Sequence, residues 1–94
     1  MSTSHLPAQP TWSDILALWR ISAPSNRQAY LRVAEDFSLS SFEVARAWFT
    51  GGVPMEYWER LIVLLEHRWG IIVSERQLVR ATVALRSSRK QDAA

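Results

Sequence analysis

Two serines and an arginine, Ser40, Ser41 and Arg46, are the side chains of this chain whose types and spacing suggest chemistry. A guanidinium presents parallel N–H donors that match guanine O6 and N7, and hydroxyls at a helix N-terminus can hold a phosphate or a base edge. Phe42 and Ala45 share the stretch and could touch a thymine methyl. Ser40, Ser41, Phe42, Ala45 and Arg46 are therefore the candidate base-reading set. Arg27, Arg32 and Thr50 are candidates for phosphate contacts on either side of it. Glu43 could accept from cytosine, but three residues after Ser40 its commoner role is to complete a capping box. A lone surface arginine is by default solvated, and Phe42 and Phe49 could equally complete a core, so these readings depend on how the chain presents them.

Other chemistries find little footing. His5 lies near the N-terminus, His67 sits between Glu66 and Arg68, and the chain has no cysteine. That gives no ligand spacing for a metal and no thiolate chemistry. Glu56 and Glu59 share a helix face as solvated pairs usually do, and neither a glycine-rich phosphate loop nor a nucleophile motif occurs. Five tryptophans in 94 residues, all on helical stripes, read as core. Stacking on single strands would need exposed aromatics interleaved with basic residues. The expectation is no enzyme, no cofactor and no metal.

The elements that must position the candidate residues run from Tyr30 to Gly52. Tyr30, Val33, Ala34 and Phe37 recur three and four apart, the pattern of one helical face. Ser38-Leu39-Ser40 breaks that helix; Ser40 with Glu43 opens the next, whose buried side is Val44, Ala47 and Trp48, and Gly51-Gly52 ends it. On this spacing the chain resembles the helix-turn-helix of small phage regulators of the Cro and repressor class. Ala34, Phe37, Leu39, Val44, Ala47 and Gly51 fall on that motif's small, apolar and glycine positions. Ser38 stands where the family usually has glycine in a left-handed backbone, so serine carries modest strain there. The segment GGVPMEYW, Gly51 to Trp58, is similar to a compact variant found in prophage-type regulators. The two resemblances cover residues 27 to 80. They imply an all-α, lambda-repressor-like bundle and a transcriptional regulator, commonly a homodimer on a palindromic operator, whose second motif helix enters the major groove of double-stranded DNA.

Size allows one domain. The formal charge is +2, unevenly spread. Residues 71–94 carry Arg76, Arg80, Arg86, Arg89 and Lys90 against Glu75 and Asp92, whereas residues 1–53 balance, so the reading head is nearly neutral. A basic C-terminal end suits phosphate attraction. The neutral head favours a second subunit or a partner, and an alternative is a helical adaptor that binds protein, for example RNA polymerase or a phage component. No apolar run suits a membrane span, and the reading is cytoplasmic and nucleoid-associated.

Further elements follow from periodicity. Residues 1–10 are expected as a disordered tail, 11–86 as the folded domain and 87–94 as a basic tail. Thr11 caps a first helix carrying Trp12, Ile15, Leu16 and Trp19. Ser25 with Gln28 opens the second, and Pro54 starts a fourth with Trp58, Leu61, Ile62, Leu65 and Trp69, its apolar face widened by Val63 and Leu64, up to Gly70. Ile71-Ile72-Val73 is a buried extended link or edge strand, and Ser74 with Gln77 opens a fifth helix with Leu78, Val79, Thr82, Val83 and Leu85, where a dimer contact is expected.

Overall fold

The computed structural model describes residues 6–93, with side chains through Ser87. Its helices are α1 Trp12–Ser22, α2 Asn26–Asp36, α3 Phe42–Gly51, α4 Trp58–Trp69 and α5 Glu75–Ala93, with one 3-10 turn at Met55–Tyr57 before α4. Among the described residues there is no strand, and the architecture is an all-α bundle.

Capping explains most of the starts. Thr11 Oγ1 accepts from the Asp14 amide at 3.1 Å while the Thr11 amide donates to the Asp14 carboxylate at 3.0 Å, a complete box before α1. Ser74 and Gln77 form the same two-way arrangement before α5. Ser25 accepts from the Gln28 amide at 3.2 Å, which is half of the expected box. Pro54 does not start α4; its carbonyl accepts from the Tyr57 amide across the 3-10 turn, and α4 begins at Trp58. Gly70 closes α4 in the left-handed conformation.

The core is organised around α1, which buries Trp12, Ile15, Leu16, Leu18 and Trp19 and lies against α2, α3 and α5. Each such side chain contributes about 1.5–3 kcal/mol when fully buried, so α1 supplies far more than α2 with Ala29 and Val33. The large aromatics meet at its ends: Trp12 approaches Trp58 at 6.2 Å, and Trp19 meets Trp69 edge-on at 4.9 Å. Buried indoles need partners for their N–H groups. Trp12 donates to Thr82 Oγ1, Trp58 to the Val53 carbonyl and Trp19 to Asp36.

Three expectations are corrected. Leu6–Pro10 is ordered against the bundle: Pro10 is buried, Gln9 Nε2 donates to the Gln77 carbonyl, and Gln77 Nε2 donates to the Ala8 carbonyl. Residues 1–5 of the expected tail lie outside the described residues. α5 does not fray at residue 87 but continues to Ala93. Its inward stripe is Leu78, Ala81, Thr82 and Leu85, because Thr82 must face Trp12, and this turns Val79 and Val83 outward. The Ile71–Val73 link has Ile71 and Val73 inward and Ile72 outward, the alternation of an extended segment, without a strand partner.

Candidate nucleic-acid interface

The α2–α3 corner is made by a backbone turn. Phe37 ends α2, and the Leu39 amide reaches back to the Ala34 carbonyl at 2.8 Å while the Ser38 amide bonds Glu35 at 3.3 Å. Closing a helix end this way requires a left-handed residue, and Ser38 has φ +55°, the only non-glycine with positive φ among the described residues. A glycine is the usual occupant, so Ser38 is strained as its position in the sequence implied. Leu39, half-buried, plugs the corner against the core.

From that corner α3 crosses α2 with a different side inward than the sequence suggests. Ala45 is 0 % exposed and Trp48 is buried, whereas Val44 is 38 % exposed and Ala47 lies in solvent. The helix is rolled by one residue, roughly 100° about its axis. Trp48 faces inward in either register and meets Phe37 at 5.3 Å and Tyr57 at 5.0 Å. What favours the Ala45 side is the pair of rings that flank it: Phe42 and Phe49 are half-buried against Tyr30 at 6.4 and 4.9 Å, and they cover far more apolar surface than Val44 and Ala47 would. The turn is correspondingly one residue longer: the N-cap is Ser41, without a side-chain capping bond, and Glu43 lies 3.6 Å from Arg46 instead of bonding Ser40. The Ser40–Glu43 box is thus absent.

This decides the candidate residues one by one. Ala45 cannot touch a base from the core, and its assignment is withdrawn. Phe42 is half-buried; its ring stacks beside Tyr30 at 6.4 Å, with the Arg27 guanidinium 5.1 Å above it, so it belongs to the α2–α3 packing. Ser40, Ser41 and Arg46 remain exposed, joined on the outward side of α3 by Glu43, Ala47 and Thr50. The Thr50 hydroxyl donates to the Ala47 carbonyl at 3.1 Å and keeps its oxygen lone pairs for a donor. Arg46 and Glu43 are each over 60 % exposed, so their pairing is weak and yields readily to another partner. Arg32 is engaged elsewhere, donating to the Ser22 carbonyl at 2.7 Å, although its side chain still lines a shallow groove with Gln28, Ser41 and Phe42.

Two groups in this region escaped sequence reasoning. Arg20, in the last turn of α1, places its guanidinium 4.8 Å over the Phe49 ring, and nothing in local spacing announces that contact. Asp36, the last residue of α2, accepts from the Trp19 indole at 2.7 Å and from both Arg68 terminal nitrogens at 2.8 and 3.0 Å. Burial pushes its carboxyl upward, but hydrogen bonds from Arg68 and Trp19 and the charges of Arg68 and Arg32 outweigh that and hold it below the ordinary value. This latch joins α1, α2 and α4 two residues before the Ser38 turn, and so fixes where the corner begins. An acidic residue at a helix end is ordinary in sequence; only the distant Arg68 gives it meaning.

Beyond α3, Phe49 and Thr50 share a groove with Trp12, Ala81, Ala84 and Leu85, so α5 passes the C-terminal end of the outward face. Among the described residues no three His, Asp or Glu side chains gather as a metal site would, and no helix is long and apolar enough to cross a membrane. Comparison with protein-family models, with curated proteins and with solved structures finds no match to this chain.

Proposed function

We propose that this protein binds double-stranded DNA as a small transcriptional regulator, with α3 laid in the major groove and α2 crossing the backbone. The observation that carries the reading is the pairing of α2 and α3 through the left-handed Ser38 corner, which leaves Ser41, Glu43, Arg46, Ala47 and Thr50 uncovered on one side of a short helix. Arg46 supplies the bidentate donor for guanine, Ser40 and Ser41 the hydroxyls at the helix N-terminus, and Ala47 takes the apolar contact first assigned to Ala45. Arg27 and Thr50 reach the flanking phosphates. The resemblance to Cro-class regulators is in keeping with a homodimer on a palindromic site, and the near-neutral head favours a dimer, since two heads double the phosphate contacts.

Selection from a random duplex pool followed by a band-shift series in rising salt tests this. The expected result is an enriched sequence bound well above random duplex, with Arg46→Ala costing about 1–3 kcal/mol of discrimination at one base position. Equal affinity for the enriched and random duplexes, or none for either, refutes a specific regulator. A second reading, a helical adaptor docking on a protein such as RNA polymerase, is favoured by one feature: Val79 and Val83 stand one turn apart on α5, 44 % and 56 % exposed. It predicts a stoichiometric protein complex that Val83→Asp abolishes and Arg46→Ala leaves intact.

A further inference from the structure

The arginines around α3 are committed to different degrees, and that difference is informative. Arg68 is held by Asp36, Arg32 by the Ser22 carbonyl and Arg46 loosely by Glu43. Arg20 and Arg27 make no ion pair and no side-chain hydrogen bond within the described residues; each guanidinium instead lies over a half-buried aromatic ring, 4.8 Å from the centre of Phe49 and 5.1 Å from that of Phe42 respectively. Tyr30 wedges between the two rings, 4.9 Å from Phe49 and 6.4 Å from Phe42, so the rings are themselves fixed. A guanidinium held over a ring keeps N–H donors free for a further partner while much of its rotamer freedom is already spent, so an anion that meets them orders little more.

Phe42 and Phe49 are seven residues apart, two helical turns, which sets the two stacks about 10 Å apart along one edge of α3. Arg46, four residues after Phe42 and three before Phe49, lies on that same edge. One edge of the helix thus carries a guanidinium at each end, delivered from α1 and from α2, and a third between them.

We propose that Arg20 and Arg27 are a pre-positioned pair that grips one phosphodiester strand alongside α3, and that Arg20 takes the phosphate role that the sequence suggested for Arg32. This rests on the DNA-binding reading above and adds a contact from α1, an element outside the two helices of the corner.

Phosphate contacts are insensitive to base sequence, so a fluorescently labelled duplex of mixed sequence serves as probe, with anisotropy titrations repeated across a salt series. Wild type, Arg20→Gln, Arg27→Gln and, as a control on α4 whose arginine lies over neither Phe42 nor Phe49, Arg60→Gln are compared, with melting curves to confirm that all are folded. The expected result is a plot of log affinity against log salt that is shallower by about 0.9 for Arg20→Gln and for Arg27→Gln, and unchanged for Arg60→Gln. A wild-type slope in Arg20→Gln, on a duplex the wild type does bind, overturns the pair and leaves the DNA reading standing. Equal flattening by Arg60→Gln also overturns it, since generic charge would then suffice. Absence of salt-dependent duplex binding by the wild type removes both.

Discussion

Substituting Asp36 separates two contributions to the latch that ends α2. Asp36→Asn removes the charge facing Arg68 but leaves an oxygen for the Trp19 indole. Hydrogen bonds to charged groups contribute about 1.5–3 kcal/mol, while exposed ion pairs contribute at most about 1. Asp36 is 17 % and Arg68 43 % exposed, which places this pair between those regimes, at about 1–1.5 kcal/mol. Asp36→Ala also strands the N–H of a fully buried tryptophan, adding about 1–3 kcal/mol, for a total near 3. In a domain of this size each kcal/mol moves the midpoint by about 4–8 °C, so the alanine variant should melt some 15 °C low and the asparagine variant less than ten. Urea and thermal unfolding followed by circular dichroism measure both. An alanine variant no worse than asparagine, or both within about 0.5 kcal/mol of wild type, refutes the indole argument. The pH dependence has a definite sign. The carboxyl is lowered in the folded state, so its contribution is complete above the ordinary value of 3.8 and is lost as pH falls through the lower folded value. The gap between wild type and Asp36→Asn should therefore narrow in acid and be unchanged between neutral pH and pH 5.

Other substitutions probe the backbone and the N-terminal segment. Ser38→Gly relieves a left-handed side chain, and after the entropy of a freer unfolded chain it should stabilise by about 0.5–1 kcal/mol, read as a higher urea midpoint at constant slope. A lowered midpoint would contradict the left-handed corner. Gly52→Ala sets a Cβ 2.8 Å from Trp12 Nε1 at φ +85° and should cost about 2–4 kcal/mol in the same assay, because the indole is tied to Thr82 and cannot retreat freely. Gln77→Ala removes both the bond to Ala8 and the acceptor for the Ser74 amide at the start of α5; it should speed proteolytic clipping before Thr11, with a stability loss of about 1–2 kcal/mol.

Much of this architecture was legible in the chain because its signals are local. The Thr11 and Ser74 caps, the Gly70 stop and the main stripes of α1 and α4 each depend on residues within one or two turns and are found as expected, except that Val63, expected to widen the α4 face, is exposed. The strain at Ser38 was legible too, since a corner between two helices leaves few backbone solutions. What failed was the competition between near-equivalent local choices. Ser40 and Ser41 can both stand at the cap position, and the roll of α3 is decided by where Phe42 and Phe49 find Tyr30, twelve and nineteen residues away on α2. The base-reading set inherited that error at Ala45 and Phe42. Asp36 and Arg20 lay beyond reach for the same reason, as their partners Arg68 and Phe49 are brought near only by the completed bundle.

Gln77 ties together segments that are distant in the chain: its side-chain amide donates to the Ala8 carbonyl and its backbone carbonyl accepts from the Gln9 side chain, across 69 and 68 residues. Most of the polypeptide must therefore be looped back before they exist, and they are made late, as the bundle assembles. Held by so few bonds at its own edge, the Leu6–Pro10 strap should also be the first piece to release; its backbone N–H groups donate to no protein acceptor among the described residues and should exchange early, while the amides of α1 wait for the molecule to come apart.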